Sequence, residues 1–166
     1  MTSLAELTAE LVAIDSVKPG LVPDGAGEAA IARFVAEWCA RAGLDVEVEE
    51  PAPRRPNVIA VARGSGGGSS LMLNAHMDTV GVAGMEAPFS GRIEDGRLYM
   101  RSCAGDPEVV GVPFWADSAL LAAAGIPTVL YGPRGEGAHA EVEWVDLASA
   151  ERCLEVCVAV ARELCA

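Results

Sequence analysis

Basic residues are scarce in this chain. Lysine and arginine number 12 against 24 aspartates and glutamates, a formal net charge of −12. Nucleic acids and anionic membranes are held by basic patches, so this balance argues against both as partners. Long apolar runs are missing too, since none approaches the roughly 20 residues of a membrane span. The N-terminal region lacks a basic start and is interrupted by Glu6 and Glu10. It does not read as a signal peptide, and the expected location is cytoplasmic. The five cysteines form no convincing framework. Cys153 and Cys157 lie four apart on one helix face, where they can be core hydrophobes or a soft-metal pair. Cys103, in a loop, is open to readings as ligand or nucleophile. Histidine occurs twice, as His76 and His139.

With 166 residues, 51% hydrophobic and 22% charged, the chain is long and apolar enough to bury an ordinary core, and its composition argues against disorder. One domain over residues 1–166 is expected. Ser3-Leu4-Ala5-Glu6 has capping-box spacing, and Leu4, Leu7, Leu11 and Ile14 recur at helical intervals. A second helix is expected from about Glu28 to Ala42, with Ile31, Phe34, Val35 and Trp38 inward and Gly43 closing it. Asp45–Glu49 alternates as a half-exposed strand. Val58–Ala62 and Leu71–Asn74 read as further strands, joined by the flexible Gly64–Ser70 turn. Arg92–Tyr99 reads as a hairpin around Asp95-Gly96. Val109–Trp115 reads as a strand and Asp117–Ala124 as a short capped helix. Thr128–Tyr131 follows as a buried strand, and Asp146 caps a final helix to about Leu164. Interleaved strands and helices predict an α/β fold, with helices packed on a mixed, largely parallel sheet.

The most informative stretch is Asn74-Ala75-His76-Met77-Asp78-Thr79-Val80, directly after the apolar Leu71-Met72-Leu73. On extended chain, residues i and i+2 share a face, so His76 and Asp78 emerge together at a strand end. Open α/β sheets place ligand sites there. A histidine that gives one ring nitrogen to a metal commonly gives the other to a carboxylate. The plainer reading is a buried histidine with Asp78 capping the next turn.

His76-Met77-Asp78-Thr79-Val80, with Pro88-Phe89 and Gly96-Arg97-Leu98-Tyr99 after it, resembles the zinc peptidases and deacylases of the acetylornithine deacetylase, succinyl-diaminopimelate desuccinylase and carboxypeptidase G family. A second block looks like the C-terminal end of that family. It comprises Asp117-Ser118-Ala119, Ala124-Gly125-Ile126-Pro127-Thr128, Tyr131-Gly132-Pro133, Ala138-His139 and Glu143-Trp144-Val145. The resemblance implies His76 and His139 as zinc ligands, one or two ions, and Asp78 as the residue that orients His76. It implies a small peptide or N-acyl amino acid as substrate.

The chain also departs from the family. Where members carry G-R-G-x-x-D-M-K-G with a bridging aspartate, this sequence reads Met100-Arg101-Ser102-Cys103-Ala104-Gly105-Asp106. The adjacent glutamate pair that serves as base and ligand is absent downstream, and the only Glu-Glu is Glu49-Glu50. The inserted lid domain and a later acidic ligand are missing. The chain reads as both ends of a catalytic domain joined near residues 103–107.

A catalytic zinc usually has three protein ligands and an open water position. Asp106, Asp117, Glu136 and Cys103 are available to complete the site. Asp106 is the first choice, against a turn role before Pro107. Glu136, three residues before His139, is the best-placed replacement base, against a solvated loop charge. Asp117 is the other candidate base, and helix capping explains it equally well.

Three functions are thus open: an amide hydrolase of aminopeptidase or deacylase type with a rearranged zinc site, a catalytically dead or engineered remnant serving as scaffold or weak metal binder, and an acidic interaction protein. Surface that a missing middle would have covered implies a homo-oligomer.

Overall fold

The computed structural model describes residues 2–85, 87–99, 116–137 and 142–166. Helix α1 (Leu4–Val12) begins at the expected capping box, in which the Ser3 hydroxyl accepts from the Glu6 N–H and the Glu6 carboxylate accepts from the Ser3 N–H. Helix α2 (Ala29–Arg41) turns Ile31 and Ala32 inward, while Phe34 and Val35 are only half-buried and Trp38 is exposed. It packs on an antiparallel hairpin of β1 (Asp45–Ala52) and β2 (Arg55–Val61). Two residues, Pro53 and Arg54, close that hairpin.

The second sheet has four short strands: β3 (Ile93–Glu94), β4 (Arg97–Tyr99), β5 (Gly135–Glu136) and β6 (Trp144–Asp146), in the order β3-β4-β6-β5. Asp95 and Gly96, both at positive φ, make the β3–β4 turn as the Asp-Gly pair predicts. Leu98 faces Val145 in register, and both are buried. The Arg97 guanidinium lies 4.2 Å from the Trp144 ring centre. Helix α3 (Ser118–Ala123) precedes this sheet's C-terminal half. Helix α4 (Leu147–Leu164) starts from β6, where the Asp146 carboxylate accepts from the Ser149 N–H at 2.7 Å.

The largely parallel sheet is not what forms. Both described sheets are antiparallel throughout, and the parallel pairing among the described residues is an isolated bridge between Val17 and Thr79. The segments expected as parallel strands, Leu71–Asn74 and Thr128–Tyr131, belong to no strand, and Val129 is 86% exposed. Physically, a parallel strand needs a distant neighbour and a long crossover, whereas a hairpin needs two residues of turn. The local hairpins at Pro53-Arg54 and Asp95-Gly96 formed, as did the antiparallel β4–β6 pairing, and the expected parallel pairings did not. The strand expected at residues 109–115 and the junction at 103–107 lie outside the described residues.

The buried apolar side chains are Val17, Ile31, Ala32, Leu98 and Val145, so the core is divided between the α2 face, the Val17 bridge and the β4–β6 pair. Helix α4 buries no residue, and its Cys153 and Cys157 are half-buried rather than core.

Candidate metal centre

The site is assembled from four stretches far apart in sequence. The first is the turn from Ser16 to Glu28. Gly27 sits at φ +73, and a Cβ on Gly25 would stand 2.5 Å from the Val17 carbonyl oxygen, so both positions require glycine. The Gly27 N–H donates to that same carbonyl at 3.0 Å, closing the turn and bringing Glu28 beneath it.

The second stretch is the extended chain around His76. It is anchored by the Val17 bridge: the Thr79 N–H donates to the Ser16 carbonyl at 3.0 Å, and the Lys18 N–H to the Thr79 carbonyl at 2.9 Å. Asp78 is thereby fixed beside Lys18. The third stretch is the tip of the β1–β2 hairpin. Arg54, at φ 63, donates from Nη2 to the Gly25 and Ala26 carbonyls at 3.4 and 3.3 Å, and its own N–H donates to Glu50 at 2.5 Å. That docking brings Arg55 between Glu28 and Asp78. Glu50 lies in β1 and its carboxylate accepts from the turn N–H of Arg54, so one member of the Glu-Glu pair braces the hairpin. The fourth stretch is the start of α3, which supplies Asp117.

His76 and Asp78 share a side, as their spacing predicts: Nδ1 is 3.0 Å from Asp78 Oδ1. The other ring nitrogen, Nε2, is 3.1 Å from Asp117 Oδ2. Asp117 holds no cap, because its side chain makes no bond to the α3 backbone and faces His76 instead. Asp78 caps no turn either. Its second oxygen pairs with Arg55 Nη2 at 3.4 Å and Lys18 Nζ at 3.5 Å. Burial pushes the Asp78 carboxyl up, but the hydrogen bond and charge of His76, with the charges of Lys18 and Arg55, outweigh it and hold the group below its ordinary value.

Behind them lies Glu28, whose side chain is 3% exposed and whose Oε1 is 2.8 Å from Arg55 Nε. The two cations pair with Glu28 and Asp78, and among the described residues the partner of the Asp117 carboxylate is His76 Nε2. A divalent cation suits that place. Zinc–nitrogen and zinc–oxygen bonds of about 2.0–2.2 Å at a tetrahedral angle put donor atoms about 3.3 Å apart. The Nε2–Oδ2 separation of 3.1 Å is close to that edge. The His76 side chain is 61% exposed, so a metal and its water have access.

Two donors do not complete a zinc site, and no group of three metal-ligating side chains occurs among the described residues. His139 and Asp106, the other expected ligands, lie outside them. Glu136 is in β5 opposite Trp144, and among the described residues it makes no hydrogen bond or ion pair with His76, Asp78 or Asp117. A shallow cavity of about 300 Å³ between α2 and the hairpin, lined by Ala32, Glu37, Val48 and Arg54 among others, contains none of the three. No family model matches the chain.

Lys18, Glu28 and Arg55 were missed in the sequence. One signal did exist for Glu28: it shares a helix face with Ile31 and Ala32, and a charge on a buried face calls for a partner.

Proposed function

We propose that this chain is a metal-dependent hydrolase of amide bonds in small peptides or N-acyl amino acids, of aminopeptidase or deacylase type. It would be akin to the zinc peptidase and deacylase family, with a rearranged zinc site. One observation carries the reading: His76 is oriented through Nδ1 by Asp78 and presents Nε2 to an Asp117 oxygen 3.1 Å away. A carboxylate behind a metal-binding imidazole fixes its tautomer and raises its basicity. His76 and Asp117 are the ligands supported by geometry, and His139 and Asp106 are the proposed completing ligands. When bound, zinc supplies Lewis acidity and an activated water, the chemistry that amide hydrolysis needs. The open position of His76 suits small or N-terminally exposed substrates. Glu136 stands apart from the cluster, so slow turnover is expected.

That separation also favours a second reading, a non-catalytic remnant that binds metal weakly. Metal analysis of dialysed protein, zinc titration of the apo form and a screen of dipeptides and N-acyl amino acids decide between them. Tight zinc with hydrolysis that disappears in His76→Ala and Asp117→Asn supports the hydrolase. Zinc without turnover leaves the remnant. No tight zinc sinks the hydrolase and leaves the remnant.

Location and assembly belong to the same proposal. No helix among the described residues is long and apolar enough to cross a membrane. Cys39, Cys153, Cys157 and Cys165 are free thiols, which fits the reducing cytoplasm. Met72, Leu73, Leu120, Val129 and Leu130 are among the exposed apolar side chains, and association of like copies would cover them.

A further inference from the structure

We infer that Cys153 and Cys157 of α4 form a two-thiolate site for a soft monovalent metal ion of the copper(I) class, independent of the zinc reading above. The two residues lie four apart in an 18-residue helix, so their side chains stand one above the other on one face. Neither is packed as a core hydrophobe. Helix α4 buries no residue, and both thiols are half-buried with access to solvent. The Cys153 thiol hydrogen-bonds to Cys157, so the two sulfurs are already neighbours.

Spacing decides what this pair can do. On a helix surface the Cβ atoms of such a pair lie about 5–6 Å apart. A disulfide needs about 3.5–4.5 Å. Oxidation would have to deform α4, so the fold keeps the pair as a dithiol. A metal ion in line between the sulfurs needs no such approach, because two metal–thiolate bonds of about 2.3 Å span about 4.6 Å. The donor set then selects the ion. Among the described residues, no third histidine, cysteine or carboxylate joins the two thiols in a metal-binding group. At 3.6 residues per turn, Glu151 and Glu155 fall on the other side of α4. One turn before Cys153, the Ser149 hydroxyl is committed to the Arg134 N–H and the Asp146 carbonyl, each at 2.8 Å. One turn after Cys157 stand the apolar Val160 and Ala161. Structural zinc takes four ligands, and calcium and magnesium take six or more oxygens. Two soft sulfurs without an oxygen donor suit a copper(I) ion, which is satisfied by two ligands. Binding replaces both S–H bonds with S–Cu bonds, releases two protons per ion and changes no oxidation state.

Anaerobic titration of the reduced protein with copper(I), against the chromophoric chelator bicinchoninate, tests the site. Wild type should hold one equivalent and release two protons on taking it up. X-ray absorption should show two sulfur neighbours and no third ligand. Cys153→Ser and Cys157→Ser should each weaken that equivalent by at least about 100-fold, more than the loss of an outer-shell partner costs. Cys39→Ser and Cys165→Ser should leave it in place. Where a serine variant loses its helical circular dichroism, Cys153→Ala or Cys157→Ala replaces it, since alanine is the better helix former. Undiminished binding in a folded variant of either thiol overturns the inference, as does coordination by three sulfurs or loss of the equivalent in Cys165→Ser. A wild-type protein that holds no copper(I) overturns it as well, whatever the zinc titration gives.

Discussion

Replacing Asp78 separates the metal affinity of the site from its contribution to the fold. Asp78→Ala removes the acceptor of the His76 Nδ1 proton and leaves Arg55 and Lys18 without their shared carboxylate. For zinc, losing the orienting partner costs about 10- to 100-fold in affinity, or about 1.4–2.7 kcal/mol. For the fold, the two cation pairs are partly exposed, at 37% for Arg55 and 34% for Lys18. Screened pairs of this kind contribute about 0.2–1 kcal/mol each. For a chain of this length, 1 kcal/mol moves the melting temperature by about 2–4 °C. The apo variant should therefore melt only a few degrees early while its zinc affinity falls by at least tenfold. Competition titration against a chromophoric chelator, beside thermal melts of both apo proteins, reads the two effects separately. An acid arm adds a sign. A carboxylate held below its ordinary 3.8 stabilises the fold above that pH, and its contribution is lost as pH falls through the depressed value. Wild type should accordingly lose stability below about pH 4 more steeply than Asp78→Ala. If the variant keeps wild-type zinc affinity while His76→Ala loses it, the orienting role assigned to Asp78 is wrong.

Three further outcomes are expected. Leu98, with 0% of its surface accessible, fills the β4–β6 contact, and Leu98→Ala should cost about 2–5 kcal/mol in urea unfolding; a cost under 1 kcal/mol would mean that this pair is not a core. Sedimentation at micromolar concentration should show an assembly larger than one chain that grows with added salt, because screening relieves repulsion between copies of net charge −12; Val129→Lys should shift it toward monomer, and a wild-type monomer at every salt concentration defeats self-association. Burial pushes the Cys153 thiol above its ordinary 9.0, and the charge and hydrogen bond of Cys157 add to the rise, so Cys153 should alkylate slowly at pH 8 and faster in Cys157→Ser, as peptide mass spectrometry would report.

Features carried by a few adjacent residues were legible in the sequence. The Ser3–Glu6 box, the Asp146 cap and the Asp95-Gly96 turn each hold their chemistry within four positions, and all three form as expected. The shared side of His76 and Asp78 follows from the two-residue period of extended chain. What failed was the parallel pairing of two apolar segments. Leu71–Asn74 and Thr128–Tyr131 have the composition of buried strands, but composition does not supply a neighbouring strand, and neither segment has one. Asp117 reads from the sequence equally as helix cap or base, and its contact with His76 spans a separation that local patterns do not encode. Glu28, Arg55 and Lys18 were hidden for the same reason.

The β1–β2 pairing contains one irregularity, a shift in register between Glu49 and Ala52, where Glu50 and Pro51 stand opposite the single Pro56. The extra residue makes the hairpin a ruler whose length is measured by the site. In a strand, a slip of one position turns every side chain to the opposite face. Deleting either Glu50 or Pro51 would straighten the β1 side of the ladder and turn Ala52 to the opposite face, which re-aims the Pro53-Arg54 turn that docks on the Gly25 and Ala26 carbonyls. Loop length at this tip is thus a constraint as strict as the identity of the charged residues, and an insertion or deletion there would disarm the centre without touching a ligand.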